Sequence, residues 1–286
     1  MKTLIKTISF MVLFTLILAA CGGAPEPTST PEMPAPVFDV SSEVSTAESV
    51  PAEAVPAEAV PAEAVPVEPV EEEEQPEVDP MMICAANIEL PIEPAYPLVF
   101  CDDFENPDES LMTGEEYEDK YLESTSEIYK GKYAVRMDVK RLAVSTLTIP
   151  VSNARDFVIQ VDGKMASHSG HPYHKWGILL KKDPKDKLYY YFAIDNNGLY
   201  YFMMVRGEKL TNLINGRKSE DLNPLDEGNT LTVVTEGDIF TFYINGEFQE
   251  DFKDNRIQSG DLGLYFIVSE NSILDWEFDN LVVYAD

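Results

Sequence analysis

The chain has 286 residues, three cysteines and a formal net charge of -30. That balance excludes nucleic acid as a partner, because binding phosphates needs clustered Lys and Arg. Apart from Lys2 and Lys6, every basic residue lies at or beyond Lys120, and much of the N-terminal third is too polar and Pro-rich to bury a core.

The chain begins with a short basic region, Met1 to Lys6, followed by an apolar run from Ile8 to Ala20. A run of about 13 residues suits the central region of an export signal better than a bilayer span, which needs roughly 20. Its end, Leu18-Ala19-Ala20-Cys21 followed by Gly22-Gly23, resembles the bacterial lipobox. The resemblance implies cleavage before Cys21, diacylglycerol on its thiol and an acylated amine. The membrane is then a partner through a lipid anchor of two or three chains, at ~0.8 kcal/mol per buried methylene. An ordinary cleaved signal and an uncleaved anchor helix are the alternatives. The expected location is extracytoplasmic, exposed on the surface of the cell membrane or the outer membrane.

Residues 21–80 read as a stalk between the signal peptide (1–20) and a folded domain (81–286). The stalk holds most of the prolines, no Lys or Arg, and the repeat Pro51-Ala-Glu-Ala-Val, which recurs from Pro56 and Pro61. Glu71 to Glu74 add an acidic run. Such a segment has too little apolar surface to repay its ordering entropy. Proline also removes amide donors, so a disordered, semi-extended spacer is predicted.

Beyond Phe100 the pattern is β. Tyr133, Val135, Met137 and Val139 alternate with polar residues, and Phe157, Ile159 and Val161 repeat that period of two. Leu188–Ile194 and Leu199–Val205 flank Asp195-Asn196-Asn197-Gly198, a hairpin signal. Thr230–Val234, Ile239–Ile244 and Glu247–Phe252 are joined by Gly237-Asp238 and Asn245-Gly246, giving two more hairpins. Leu262–Val268 and Ile273–Tyr284 complete the series. No amphipathic helix of ten or more residues follows the stalk. The predicted fold is all-β, a two-sheet antiparallel jelly-roll sandwich.

Four segments carry a resemblance: Leu98-Val-Phe-Cys-Asp-Asp-Phe104, the series Leu231 to Glu247, Ser259-Gly-Asp-Leu-Gly-Leu-Tyr265, and Trp276-Glu-Phe-Asp-Asn-Leu-Val-Val283. Together they resemble the concanavalin A-like lectin/glucanase jelly roll, and within it the laminin G-like and 3-keto-disaccharide hydrolase-like domains. That superfamily hosts lectins, hydrolases and adhesion modules, so the resemblance implies a fold more than an activity.

Several residue sets are candidates for a site. A retaining glycosidase needs two carboxyl groups about 5 Å apart. Glu115-Glu116-Tyr117-Glu118-Asp119 lacks alternating apolar framing, and Asp275-Trp276-Glu277-Phe278-Asp279 reads equally as a closing strand. His168, His171 and His174 share one segment containing Gly170 and Pro172, which is either a metal or acid–base loop or a polar turn. Trp176, Tyr190 and Tyr200, with Arg206, His171 and His174 nearby, form the candidate ligand-binding set. Aromatics there are either sugar platforms or packing. No cofactor is required. A structural calcium ion between Asp102, Asp103 and Asp279 is one option, and solvated surface acids are the other. Cys84 and Cys101 remain after Cys21, the count expected of one disulfide or of two free thiols.

The leading expectation is a lipid-anchored, non-catalytic domain that binds polysaccharide or another glycan. The alternatives are a hydrolase of the 3-keto-disaccharide type and a structural or protein-binding envelope module.

Overall fold

The computed structural model describes residues 79–286. The signal segment, Cys21 and the stalk up to residue 78 lie outside the described residues. None of the described helices is long and apolar enough to cross a membrane.

The described chain opens with a short helix, α1 (Pro80–Ala86). Asp79 caps it by accepting from the Met81 amide at 3.0 Å, and Pro80 starts the first turn, where no amide donor is needed. Fifteen strands follow: β1 (Leu98–Asp102), β2 (Glu116–Glu118), β3 (Leu122–Ile128), β4 (Tyr133–Val139), β5 (Ala143–Thr148), β6 (Phe157–Ser169), β7 (His174–Lys182) and β8 (Leu188–Asp195). The rest are β9 (Leu199–Arg206), β10 (Lys209–Lys218), β11 (Asn229–Glu236), β12 (Ile239–Ile244), β13 (Glu247–Lys253), β14 (Asp261–Val268) and β15 (Ser272–Ala285).

They form two antiparallel sheets. The larger runs β13-β12-β11-β6-β15-β4-β3-β2, with β1 also paired to β15. The smaller runs β10-β9-β8-β7-β14-β5. The inward residues of both sheets share one core, so the molecule is the expected sandwich. In β4 burial alternates as the sequence does: Tyr133, Val135, Met137 and Val139 are buried and Arg136 is exposed. Trp176, Phe192, Phe202, Phe242, Phe266, Trp276 and Phe278 fill the centre. Each such ring contributes on the order of 2–3 kcal/mol through its buried area.

The turns follow local chemistry. Asn245 and Gly246 both take positive φ (53° and 82°), as a two-residue primed turn requires. The connection Asn196-Asn197-Gly198 differs from the Asn-Gly turn expected from sequence, because only Gly198 has positive φ (73°). Asp195 sets this geometry: its Oδ1 accepts from the amides of Asn197 (2.9 Å) and Leu199 (3.0 Å).

Candidate functional site

The aromatic set is packing rather than a platform. Trp176 and Tyr190 are 0% exposed, and Tyr200 is also buried. All three point between the sheets. The Tyr190 hydroxyl donates to Asp254 and accepts from the Ile257 amide at 3.1 Å, while Tyr200 donates to Glu250 at 2.9 Å. Burial and these acceptors push both phenols up, Tyr200 to about 12. The odd-numbered neighbours point the other way, as the strand period demands. Tyr189, Tyr191, Tyr201 and Tyr265 form a second buried cluster, in which Tyr191 stacks on Tyr265 at 3.8 Å between ring centroids. Both faces of β8 and β9 are therefore covered, and no ring of the expected ligand-binding trio can meet a sugar. Arg206 is exposed at the end of β9, remote in register from Tyr200.

The histidine segment also divides. His168 is on β6, His171 is in the turn and His174 begins β7. The His171 Nδ1 accepts from the Tyr173 amide at 3.1 Å, which stiffens the turn. His174 is fully buried; its Nδ1 faces the Ser269 amide at 3.5 Å, and its Nε2 has no hydrogen-bond partner. Burial, aided by His168 and His171, lowers its pKa to about 4. Among the described residues no group of three or more His, Cys, Asp or Glu is placed to hold a metal ion.

The buried neutral His174 has a measurable consequence. Its folded pKa lies below the unfolded value of 6.5, so the unfolded chain takes up the proton first. Its contribution is complete above about pH 6.5 and fades as pH falls toward 4. Wild type should therefore lose about 2 kcal/mol between pH 7 and pH 5 from this group. In urea unfolding at the two pH values, His174→Phe should lack that part of the loss. Identical losses would show that the ring is not held neutral.

The acids proposed for calcium are occupied separately. Asp102 is buried and clamps the turn after β1, accepting from the Phe104 amide (2.9 Å) and Ser110 Oγ (2.5 Å). Burial pushes its carboxyl above the usual range. Asp103 accepts from the Glu105 amide at 3.3 Å. Asp279 is on the outer face of β15 and bonds Lys132; burial raises its pKa while Lys132 pulls it down. The other acids of that strand are paired too, Asp275 with Arg136 (2.8 Å) and Glu277 with Lys164 (2.9 Å). Exposed pairs of this kind contribute roughly 0–1 kcal/mol each, and they commit the three carboxylates of β15.

Cys84 and Cys101 are joined as a disulfide that ties α1 to β1. The backbone of the intervening segment is held as well, since Gln160 Nε2 donates to the Glu89 carbonyl at 3.0 Å and the Ala285 amide to the Pro97 carbonyl at 3.1 Å.

Open space that reaches the core lies elsewhere, at the lateral edge where the two sheets part. A cleft of about 440 Å³ lies between β2, β3 and β4 of one sheet and β5 and β14 of the other. Val135, Met137 and Phe266 of the core form its floor. Ser124, Thr125 and Ser145 line its walls, and none of the three hydroxyls bonds another described residue. Tyr117 (54% exposed), Leu142 and Val144 form the rim. Tyr117 donates to Asp119 at 3.1 Å, and Asp119 is held below the usual carboxylate range by the amides of Tyr121 and Leu122. An apolar floor, unspent hydroxyls and an exposed ring are the parts of a small-molecule or sugar site. None of these residues is in the ligand set read from sequence. Tyr117 is legible only as the single aromatic inside the acidic run Glu115 to Asp119.

The fold and cleft thus define a two-sheet β-sandwich with an open edge. No protein-family model matches the chain, and no curated protein matches it. Solved structures similar to it include a carbohydrate-binding module of Bacillus subtilis, with 17% identity and TM-score 0.40 over 60% of this chain and 92% of that one. The laminarinase catalytic domain of Thermotoga maritima has 10% identity and TM-score 0.48 over 67% and 98% of the two chains. An endo-β-galactosidase of Clostridium perfringens has 11% identity and TM-score 0.48 over 69% and 64%.

Proposed function

We propose that this is a lipid-anchored envelope protein whose sandwich binds carbohydrate, without catalysis, in the cleft between β3 and β5. The observation that carries the reading is the cleft itself: an exposed tyrosine above an apolar floor, with three uncommitted hydroxyls beside it. Sugar rings present one apolar face and a periphery of hydroxyls, which matches that lining. The pairing of the β15 acids with Arg136, Lys164 and Lys132 favours binding over hydrolysis. The lipobox at Cys21 and the Pro-rich stalk would hold the domain away from the membrane.

Affinity electrophoresis of the detergent-solubilised full-length chain in gels containing neutral polysaccharides tests the binding. At least one polysaccharide should retard it, and Tyr117→Ala should weaken that interaction about tenfold, the worth of one stacked ring. Mobility unchanged by every polysaccharide would sink the reading. The anchor is tested separately by labelled fatty acid, which should enter the wild-type chain and not Cys21→Ser.

A further inference from the structure

We infer that the edge cleft selects glycans whose sugars carry free amino groups and turns away acidic ones; this rests on the cleft being a glycan site. Tyr117 sits on an edge strand with carboxylates on both of its faces. Glu115 and Asp119 line the cleft, while Glu116 and Glu118 line an adjoining hollow of about 530 Å³ with Glu123 and Asp138. Among the described residues Glu115, Glu116 and Glu118 form no ion pair.

The cations near them are committed. Arg136 bonds Asp275, Lys140 bonds Glu123, and Lys120 and Arg141 lie over the Tyr121 ring at 4.6 and 5.8 Å. The Tyr129 ring likewise carries Lys130 at 4.8 Å. The half-buried Tyr121 and the exposed Tyr129 are thus both covered by cations from the chain itself. Tyr117, unlike Tyr121 and Tyr129, carries no cation over its ring among the described residues. With Glu115 and Asp119 on its own side of the strand and Glu116 and Glu118 on the other, the ring attracts an ammonium group both through its quadrupole and through the surrounding field of the acids. An amine-bearing sugar supplies that ammonium together with an apolar face for the ring and hydroxyls for Ser124, Thr125 and Ser145. The chain's net charge of -30 opposes the approach of any polyanion.

The test is titration calorimetry of the full-length chain in detergent at pH 6. The probes are glucosamine oligomers, N-acetylglucosamine oligomers of equal length, oligogalacturonate and oligolysine. Glucosamine oligomers should bind about tenfold more tightly than their acetylated counterparts, and added salt should shrink that margin. The paired change Glu115→Gln and Glu118→Gln should remove most of the margin, read as the ratio of the two oligomers' affinities for the same variant. Tyr117→Ala, which keeps the net charge, should weaken both interactions about tenfold and so separates the cleft from general attraction to an acidic protein. Equal affinity for the two oligomers, or binding of oligogalacturonate, overturns the selectivity but leaves the glycan site standing. Tyr117-dependent binding of oligolysine with no sugar bound overturns both and assigns the cleft to basic peptides.

Discussion

Lys181→Met is expected to raise the unfolding free energy by about 2 kcal/mol at pH 7. Lys181 lies on β7 with positive φ (50°), and its side chain is 1% exposed. Its ammonium makes no hydrogen bond to a described residue and lies over the rings of Phe240 (5.0 Å) and Phe157 (5.8 Å). Burial lowers its pKa from 10.5 to about 8, against the pull of Asp156 and Asp286 and with a small push from Arg155. Holding a proton under those conditions costs about 3 kcal/mol at pH 7, of which the two cation–π contacts return on the order of 1 kcal/mol.

The sign follows from the order of the two pKa values. The folded value is below the unfolded one, so the penalty is complete below about pH 8 and vanishes as pH rises toward 10.5. Methionine keeps the unbranched shape and carries no charge to desolvate. Guanidinium unfolding of wild type and variant at pH 7 and at pH 10 is the measurement. A stability gain at pH 7 that shrinks at pH 10 is expected. A variant less stable at pH 7 would show that Lys181 is held by attraction rather than tolerated.

Removing the disulfide should cost about 3 kcal/mol, the loop-closure entropy returned to the unfolded chain over the sequence separation of 17 from Cys84 to Cys101. The loss should fall unevenly. β1 remains paired with β15 from Leu98 to Asp102, but α1 is only seven residues long and too short to persist alone. Guanidinium unfolding of the double variant Cys84→Ser and Cys101→Ser gives the global figure. Hydrogen exchange should show α1 amides losing protection while those of β15 keep most of theirs. Wild-type protection in α1 of the double variant would mean that Gln160 and the Pro97 carbonyl hold the segment without the covalent link.

The sandwich was legible because its signals are local. Alternation in β4 and the turn residues at Asn245-Gly246 act over a few residues, and they set strand identity before any partner is chosen. β2, β3, β5 and β10 are hard to read in the sequence for the complementary reason. Their sequences, such as Leu122-Glu-Ser-Thr-Ser-Glu-Ile128, carry little apolar contrast, and what makes them strands is the hydrogen-bonding edge of a neighbour. β7 (His174–Lys182), also missing from the predicted series, is strongly apolar and has no such reason. Of the weakly marked strands, β2, β3 and β5 form the walls and rim of the cleft, while the legible β4 and β14 supply only its floor, so the candidate site was the part hardest to read.

The aromatic set teaches the same lesson from the opposite side. The sequence established that Tyr189 to Phe192 and Tyr200 to Phe202 must face both ways across a sheet. Whether a ring turned outward meets water or another ring depends on its neighbours across the sheet: Tyr191 meets Tyr265, more than 70 positions along the chain. The sequence by itself determined an acidic, Pro-rich N-terminal region behind a lipobox-like cysteine, and an antiparallel β-domain after it, because composition, periodicity and turn chemistry are properties of neighbours in the chain. Only the tertiary structure decided which aromatics are spent in the core, why Lys181 and His174 are buried, and where the sheets part to leave a cleft. Exposure and desolvation are set by strands that meet through the sheet order and not through the sequence.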